Sequence, residues 1–537
     1  MTDSDETTIG VSRGAMTRAP GSHPAKVGRT TSSVIALAPI AVIVVVGAAL
    51  RISQLHQSLV ADELWSYVGA TQSSLGHVID WVRSDQEITP PLFTVLAWIS
   101  AKAGDPTVLI RLPSLLGGIA VIPLIYALGL RTVGRRAAYI AATLAALSPY
   151  LAWYSVEARA YSLTIVLVAA STLLLLIAID RGPWAWWAAY AGLSCAAMYA
   201  HYTAVYVLLA QLAWALWRHP EVRRRVVVAN LVAALAYLPW LPGVREDFQS
   251  PTQHTIGALV PFDLHNIIDF TARFALGHPA IGLHDFLGTW PEVVLALGMA
   301  VAVVGLGIAW LGGRKRPTGP REGSEAISLV VMLAVAAPIG VAMASLIGEP
   351  MYLPRNLATS WPGLALALGA LLSAGLPVFR VVATTLVVGV FAYGAIRTTE
   401  PPLQRPALRS AAAFIDKKAG PKDVVLDVAI FGVGGTNGNP LRPPALALDI
   451  NFNEPHDSID YLSPSDAQRA LRAAAGRRLA LAGHPFFVDG VRNTLGLTDS
   501  VPLAQRTFQG LVPITAEIFA IPPARLQRGR EPAGRGG

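Results

Sequence analysis

The feature that most constrains this chain is a series of apolar blocks, most of them as long as a membrane-crossing helix. Such a helix needs about twenty apolar residues, and its backbone polar groups must be satisfied internally. Candidate spans lie at about 33–50, 107–130, 135–151, 159–179, 184–200, 203–217, 224–242, 291–311, 326–347, 357–376 and 379–396. The sequence therefore predicts an all-α polytopic membrane bundle of about eleven helices.

Composition agrees with a membrane protein. Of 537 residues, 53% are hydrophobic and 14% are charged, whereas about a quarter are charged in soluble domains. The formal charge of +8 lies largely in short loops, where it orients a membrane protein, so it does not indicate nucleic acid. Cys195 is the single cysteine, which excludes an intrachain disulfide and a zinc site made of thiolates.

Positive charges predict the orientation of the bundle. Three basic loops should be cytoplasmic, and they contain Arg131, Arg135 and Arg136; Arg218, Arg223, Arg224 and Arg225; and Arg314, Lys315, Arg316 and Arg321. This assignment is self-consistent if the run at 90–103, about fourteen residues long, does not cross the membrane. We interpret that run as an interfacial or re-entrant helix in a large first external loop, residues 51–106.

The predicted spans and their orientation divide the chain into three parts. Residues 1–32 are rich in Ser, Thr, Gly, Arg and Pro, which predicts a disordered cytoplasmic tail. Residues 33–397 form the transmembrane domain. Residues 398–537 alternate helix-like stretches (405–419, 465–476) with strand-like ones (423–429, 478–483, 512–520), which predicts a small extracytoplasmic α/β domain. The run G-V-G-G-T-N-G at 432–438 lacks the context of a dinucleotide fingerprint, and we interpret it as a turn.

The first external loop contains an adjacent acid pair, Asp62 and Glu63, in the sequence A-D-E-L-W-S-Y. One interpretation is structural: Asp is favoured at a helix N-cap, and a carboxylate offsets the helix dipole. The other is chemical, because a carboxylate at the membrane surface can act as a general base toward a hydroxyl. The residues alone leave both interpretations open.

Two later external loops each place a tyrosine and an arginine where a span begins. The first contains Glu157, Arg159 and Tyr161, and the second contains Tyr352 and Arg355. Arginine outside goes against the orientation bias, and ionisable groups at membrane depth predict a partner. A guanidinium suits a phosphate because it offers paired hydrogen bonds. The structural alternative is an interfacial tyrosine beside a snorkelling arginine.

Two further residues are candidates for substrate binding. Glu87 lies at the mouth of the short interfacial helix, where a solvated loop acid is an equal alternative. His201 lies in a tight external turn, where a lone histidine is more often interfacial than a ligand. The histidines at 254, 265, 278 and 284 have no ligand spacing, so we assign no metal and identify no cofactor.

Together these motifs resemble the GT-C glycosyltransferases. The acid pair in a long first loop, the proline-led interfacial helix, the S-x-E-A-R-x-Y segment and the late Tyr/Arg motif are similar to the branch of protein O-mannosyltransferases and aminoarabinose transferases. The resemblance covers roughly residues 33–397. It implies a GT-C fold and an inverting transfer of sugar from a polyprenyl phosphate.

The resemblance also implies roles for individual residues. Asp62 would be the general base with Glu63 beside it, and Glu157 a second acid that orients the acceptor or the base. Arg159 and Arg355 would contact the phosphate, and Glu87 matches an acid that some relatives associate with a metal. We therefore take Asp62, Glu63 and Glu157 as catalytic candidates. The substrate-binding candidates are Glu87, Arg159, Tyr161, His201, Tyr352 and Arg355.

The expected activity is transfer of a mannose- or arabinose-like sugar to an extracytoplasmic acceptor of the cell envelope, which is a glycan, a lipid or a protein. The partners are then a polyprenyl-phosphate sugar, that acceptor and the bilayer, without nucleic acid. Two other classes remain open. One is a transporter or flippase for lipid-linked sugars, which also places charges at membrane depth, and the other is a scaffold that binds lipid-linked glycans.

Overall fold

The structure is a computed structural model, and it describes residues 28–60, 62–84, 87–251, 257, 260–312, 323–428, 458–461 and 463–523. Most of the predicted N-terminal tail, the basic loop at 314–321 and the predicted turn at 432–438 lie outside these residues. The described part is mostly helical, with a small sheet near the C-terminus.

In the first half of the chain, the regular elements of the described residues are helices. Its helices are α1 (Gly28–Ile52), α2 (Asp62–Ala70), α3 (Leu75–Val82), α4 (Leu92–Ala101), α5 (Pro106–Leu109), α6 (Leu112–Arg131), α7 (Arg135–Leu147), α8 (Pro149–Ser155), α9 (Tyr161–Arg181), α10 (Trp184–Ala200), α11 (Ala204–Arg218), α12 (Arg223–Tyr237) and α13 (Leu241–Phe248). Short 3₁₀ turns lie at Pro220–Val222 and Leu238–Trp240.

The second half adds the remaining helices and the strands. Its helices are α14 (Leu264–Leu276), α15 (Leu283–Leu287), α16 (Thr289–Leu311), α17 (Gly323–Ile347), α18 (Pro354–Leu357), α19 (Trp361–Ser373), α20 (Pro377–Arg397), α21 (Leu408–Lys418), α22 (Pro464–Ala473) and α23 (Pro485–Thr494). Its strands are β1 (Val424–Val428), β2 (Ser458–Asp460), β3 (Arg478–Gly483), β4 (Ala504–Phe508) and β5 (Ile514–Ala520). Further 3₁₀ turns lie at Ala358–Ser360 and Pro401–Leu403.

Each of the eleven predicted apolar blocks coincides with a helix. Six helical segments are long and apolar enough to cross a membrane: Pro106–Arg131, Tyr161–Arg181, Pro220–Phe248, Thr289–Leu311, Gly323–Ile347 and Pro377–Arg397. The protein is therefore a multi-pass membrane protein, whereas the full count of eleven spans stays a prediction. The run at 90–103 does form a separate short helix, α4.

The third predicted span differs from the structure. Helix α7 ends at Leu147, and the Ser148 hydroxyl accepts the Leu151 N–H at 3.2 Å to begin a new helix, α8, with proline at its first turn. Proline favours a helix start over a helix interior because it has no N–H to donate. The chain therefore turns where the sequence predicts a continuous span, and α8 carries a buried Tyr154 toward the next loop.

A buried arginine fixes this turn. The Arg51 side chain donates to the carbonyls of Ala145 and Ala146 at 3.0 Å each and to the Ser155 hydroxyl at 2.9 Å. The last carbonyls of a helix have no partner inside it, and a basic side chain satisfies them. The end of α1 therefore ties the end of α7 to α8.

The C-terminal sheet confirms the predicted small α/β fold. Its strand order is β2-β1-β3-β5-β4, with β1 parallel to β2 and β3, and β5 antiparallel to β3 and β4. The sequence predicts β1, β3, β5, α21 and α22, and it misses β2, β4 and α23. The predicted domain boundaries and the extracytoplasmic position of this domain remain predictions.

The two faces of the sheet pack against different partners, because alternate residues of a strand point to opposite faces. Val424 and Leu426 pack with α22 and α23, whereas Val425 shares an apolar core with α21 and the first loop. Leu59 and Leu64 of that loop belong to this second core. The C-terminal domain therefore buttresses the loop that carries the acid pair.

Candidate active site

A cavity of about 350 Å³ lies between the first loop, the start of α9, the α10–α11 turn, α13 and the segment before α18. Its lining is mostly apolar and aromatic, with charged groups among it. The lining residues are Asp62, Trp65, Glu87, Ile88, Thr89, Arg159, Tyr161, Met198, His201, Tyr202, Thr203, Val205, Tyr206, Tyr237, Leu241, Val244, Asp247, Phe248, Ala344, Pro350, Met351, Leu353, Arg355 and Asn356. Six of the nine predicted site residues belong to this set.

Asp62 and Arg355, which are 293 residues apart in sequence, form a partly exposed ion pair in the cavity. Arg355 Nη1 donates to Asp62 Oδ2 at 2.8 Å, and the side chains are 29% and 41% exposed, respectively. Asp62 is the first residue of α2, and Arg355 lies in the first turn of α18. This exposure leaves the pair open to a ligand.

Glu63 lies elsewhere, although it is adjacent in sequence. Arg111 Nε and Nη2 each lie 2.9 Å from one of its carboxylate oxygens, and Arg405 Nε lies 3.3 Å away. The Ala158 N–H donates to Glu63 at 2.8 Å. Glu63 is 1% exposed and does not line the cavity. Glu63 therefore lies outside the cavity, and its catalytic role stays a prediction.

The groups around Glu63 favour its charged form. Burial alone would raise the pKa of the Glu63 carboxyl, but the positive charges of Arg111 and Arg405 and the hydrogen bonds outweigh burial and lower the pKa. Arg111 also donates to the carbonyls of Leu55 and Ser58, at 2.9 Å each. We call Glu63, Arg111 and Arg405 the buried ion cluster.

Glu87 and Arg159 form a second buried pair, which lines the cavity. Arg159 Nη1 and Nη2 donate to the two Glu87 oxygens at 2.7 and 3.0 Å, and Arg159 also donates to Ser66 at 3.3 Å. The Thr89 hydroxyl donates to Glu87 at 2.6 Å. The Arg159 guanidinium, which the sequence predicts to contact a phosphate, therefore makes a two-point ion pair with the Glu87 carboxylate.

Tyr161 and His201 complete this side of the cavity, with ring centroids 5.4 Å apart. Burial, with the charges of Arg159 and Arg355, lowers the pKa of His201 to about 3, so its ring is neutral. His201 Nδ1 accepts the Thr203 N–H at 3.3 Å. The proton of the neutral ring is therefore on Nε2, which can donate but not accept.

Glu157 lies in a second cavity of about 340 Å³, which Arg355 also lines. Burial raises the pKa of Glu157 to about 7, and the nearby Arg405 opposes the shift only in part. Its Oε2 has no hydrogen-bond partner among the described residues. Arg355 thus lies between a cavity that contains Asp62 and a cavity that contains a readily protonated glutamate.

Tyr352 is not brought to either cavity. It is 6% exposed, its hydroxyl lies 2.9 Å from the Thr271 hydroxyl, and its ring contacts Phe262. In an extended segment successive side chains point to opposite sides, so a Tyr352 that packs against α14 leaves Met351 and Leu353 to line the cavity. Tyr352 therefore makes packing contacts outside both cavities, and its role in substrate binding stays a prediction.

Sequence reasoning missed four functional or supporting residues: Arg111, Arg405, Tyr202 and Asp247. The signal for the two arginines was present, since Arg111 lies at the outer end of the predicted span 107–130 and Arg405 follows the last predicted span on the outer side, where arginine is disfavoured. Tyr202 adjoins the predicted His201. Asp247 lies in a mixed polar loop without a distinguishing pattern.

The fold and the site together define the class: a multi-pass membrane protein with the GT-C fold, whose acid–arginine cavity is built from distant loops. A family model described as dolichyl-phosphate-mannose-protein mannosyltransferase matches residues 89–260. This match confirms the resemblance to the protein O-mannosyltransferase and aminoarabinose transferase branch. No curated protein sequence matches the chain.

Solved structures of another protein have a similar fold. The chain is similar to ArnT from Cupriavidus metallidurans in the apo state, with a TM-score of 0.53 and 13% identity over 91% of this chain and 98% of that one. ArnT bound to undecaprenyl phosphate gives a TM-score of 0.49 and 15% identity over the same shares, 91% and 98%. At these identities the likeness shows the fold.

Proposed function

We propose that the protein is a glycosyltransferase that moves a sugar from a polyprenyl-phosphate donor to a hydroxyl acceptor on the extracytoplasmic side of the membrane. The observation that carries the proposal is the Asp62–Arg355 pair, joined at 2.8 Å in a largely apolar cavity. A carboxylate for a proton and a guanidinium for an anion are the two groups that this transfer needs.

The donor fits the character of the cavity. Arg355 uses Nη1 for Asp62, and a guanidinium has five N–H donors, so it can hold a phosphate as well. Apolar lining such as Met198, Val205 and Leu241 suits an isoprenoid chain. ArnT, the structural relative, has been solved with undecaprenyl phosphate bound.

Arg159 has a different part in this proposal. Its two terminal nitrogens already face Glu87, so we assign Arg159 to the electrostatic field around the phosphate and Glu87 to holding that guanidinium in place. Tyr161 and the neutral His201 then complete the wall as uncharged groups. A neutral His201 can donate a hydrogen bond to an anionic donor without taking part in proton transfer.

The transfer itself is a single displacement. The acceptor hydroxyl oxygen forms a bond to the anomeric carbon while the bond from that carbon to the phosphate oxygen breaks, and its electron pair leaves with the phosphate. Asp62 takes the hydroxyl proton, and Arg355 stabilises the charge on the departing phosphate. Attack opposite the leaving oxygen inverts the anomeric configuration. The sugar is a neutral pentose or hexose such as arabinose or mannose.

The second cavity supplies a route for the acceptor. Glu157 lines it together with Trp153 and Arg355, so we assign this cavity to the acceptor, whose hydroxyl must reach the anomeric carbon on the face opposite the departing phosphate oxygen. A glutamate with a pKa of about 7 can accept or donate a hydrogen bond to an acceptor hydroxyl, depending on pH. This position agrees with the orienting role that the resemblance implies.

The deciding experiment is single-turnover sugar transfer by Asp62→Asn in nanodiscs. The amide keeps the size of the side chain, but it cannot take the proton. We expect turnover to fall by about 10² to 10⁴, with the melting temperature and donor binding nearly unchanged. The matched control is Asp80→Asn, since Asp80 is an exposed acid of the same loop.

Two results would contradict the proposal. Normal turnover in a folded Asp62→Asn variant would remove Asp62 from the chemistry. Transport of an unaltered lipid-linked sugar across vesicles, without any transfer product, would favour the flippase alternative. That alternative has no need of a base at Asp62, so its transport rate would survive the substitution.

A further inference from the structure

One wall of the active-site cavity contains a carboxylate that the proposed chemistry does not use. Asp247 lies near the end of α13, is 4% exposed and lines the cavity that contains Asp62 and Arg355. Its Oδ2 accepts a hydrogen bond from the Tyr202 hydroxyl. A carboxylate is costly to bury, so one that lines a cavity requires an explanation.

The local fold sets the direction of this side chain. The 3₁₀ turn Leu238–Trp240 brings Trp240 Nε1 to 3.1 Å from the Tyr202 hydroxyl, to which it donates. Tyr202, bonded by Trp240, then donates to Asp247. Trp240 and Tyr202 lie in one aromatic cluster with Trp81 and Tyr237. Asp247 is therefore held by a chain of side chains from three segments.

The neighbouring acid, Glu246, points away from the cavity that Asp247 lines. Glu246 pairs with Arg83 at 2.8 Å on the protein surface, and both side chains are more than 40% exposed. Consecutive residues of a helix point about 100° apart, so one acid of the pair Glu246–Asp247 faces solvent and the other faces the cavity. The two residues provide a natural comparison for an experiment.

The cavity combines charged groups with aromatic rings. Arg159 and Arg355 are paired with Glu87 and Asp62. Asp247 lines the same cavity, together with the aromatic rings of Tyr202, Tyr206, Tyr237 and Phe248. The wall that contains Asp247 therefore joins a hydrogen-bond acceptor to flat apolar surfaces.

This combination matches a sugar ring. A carboxylate has about four lone-pair positions and can accept several hydrogen bonds at once, and sugar hydroxyls are suitable donors. The C–H faces of a sugar are apolar and pack on aromatic rings. An acidic sugar would be repelled by Asp247, whereas a neutral or amino-bearing sugar would be attracted.

We propose that Asp247 and Tyr202 form the subsite that binds the sugar ring of the lipid-linked donor and selects neutral or amino-bearing sugars over uronic acids. The inference rests on the proposed function, because it concerns the donor of that reaction. Asp247 binds the sugar hydroxyls, Tyr202 positions Asp247, and neither takes part in proton transfer.

The test compares three probes: synthetic polyprenyl-phosphate mannose, polyprenyl-phosphate arabinose and bare polyprenyl phosphate. Their affinities are measured by titration against the full-length protein in nanodiscs. We expect the wild type to bind one of the sugar-bearing lipids about tenfold or more tightly than the bare lipid. Asp247→Asn should remove most of this preference, a loss of about tenfold or more toward parity, and leave bare-lipid affinity unchanged, because hydrogen bonds to a charged group are the strong ones.

Two further variants keep the test falsifiable if Asp247→Asn folds poorly. Tyr202→Phe removes a hydroxyl and keeps the ring, and we expect a smaller loss of preference, about threefold to tenfold. Glu246→Gln makes the same amide substitution one residue earlier, and it should change neither affinity. Polyprenyl-phosphate glucuronic acid is the converse probe, and Asp247→Asn should bind it more tightly than the wild type does.

Different outcomes separate the subsite from the proposed function. A wild type that binds no polyprenyl phosphate contradicts the proposed function itself. A wild type that binds bare lipid as tightly as both sugar-bearing lipids overturns the subsite and leaves the phosphate site standing. Equal losses for bare and sugar-bearing lipid in Asp247→Asn also overturn it, because they place Asp247 on the route of the isoprenoid chain.

Discussion

Asp62 and Glu63 are adjacent in sequence and occupy two unlike electrostatic environments. Asp62 pairs with Arg355 in a solvent-accessible cavity, whereas Glu63 is enclosed by Arg111 and Arg405 with almost no exposure. Side chains of consecutive helix residues diverge by about 100°. The comparison teaches that two adjacent acids can have different surroundings: Asp62 lines a cavity, whereas Glu63 ties the start of α2 to the buried ion cluster.

The largest expected effect tests the structural half of this comparison. Arg111→Met should lower the free energy of unfolding by about 3–5 kcal/mol, because it leaves the buried Glu63 without its closest partner. The measurement is thermal unfolding in detergent. Arg469→Met is the matched control, since Arg469 is 62% exposed in the C-terminal domain. A change below about 0.5 kcal/mol in Arg111→Met would refute a stabilising role for the buried ion cluster.

A smaller effect is expected at the cavity. Arg355→Lys should weaken binding of polyprenyl phosphate by about tenfold, because a point charge does not reproduce paired hydrogen bonds to Asp62 and phosphate. Stability should change little, since the pair is partly exposed. Arg397→Lys, at the end of α20, provides the control. Unchanged affinity in Arg355→Lys would place the phosphate elsewhere.

The pH dependence of Glu157 sharpens the contrast with Glu63, whose pKa is lowered. The pKa of Glu157 is about 7 when folded and 4.5 as its reference value. Between these values the folded state binds more protons than the unfolded state, so stability falls as pH rises. We expect the melting temperature of the wild type, relative to Glu157→Gln, to fall between about pH 5 and 7. Parallel curves would contradict the raised pKa.

The smallest effect is expected for an ion pair that is exposed on both sides. Arg83 and Glu246 lie 2.8 Å apart with side-chain exposures of 47% and 43%. Such pairs contribute less than about 1 kcal/mol, and salt screens them. A double-mutant cycle with Arg83→Gln and Glu246→Gln measures the coupling. A coupling above about 2 kcal/mol would show that exposure is a poor guide to these pairs.

The sequence predicts the helical architecture well because hydrophobic periodicity and loop charge are local properties. All eleven apolar blocks coincide with helices, and the break at Ser148 is missed because apolar residues continue on both sides of it. The C-terminal strands β1, β3 and β5 are apolar and were found. The strand β4, Ala504–Phe508, has a largely exposed burial pattern, so it carries no such signal.

The partners of the charged residues were less predictable. Individual arginines and acids could be selected by type and position, but pairing is a long-range property. Arg159 lies 72 residues from Glu87, and Arg111 lies 48 residues from Glu63. Spacing says nothing about contacts at such separations. The division of Asp62 and Glu63 between the cavity and the buried ion cluster follows from those contacts.

The contact between Arg405 and Glu63 has a consequence for how the protein is made. A chain emerges from the ribosome N-terminus first, so the loop with Asp62 is made long before residue 405 is synthesised. Arg355 and the sheet that packs on this loop also arrive late. A nascent chain can therefore pair Glu63 with Arg111 early, but it lacks Arg355 and Arg405 until synthesis nears its end.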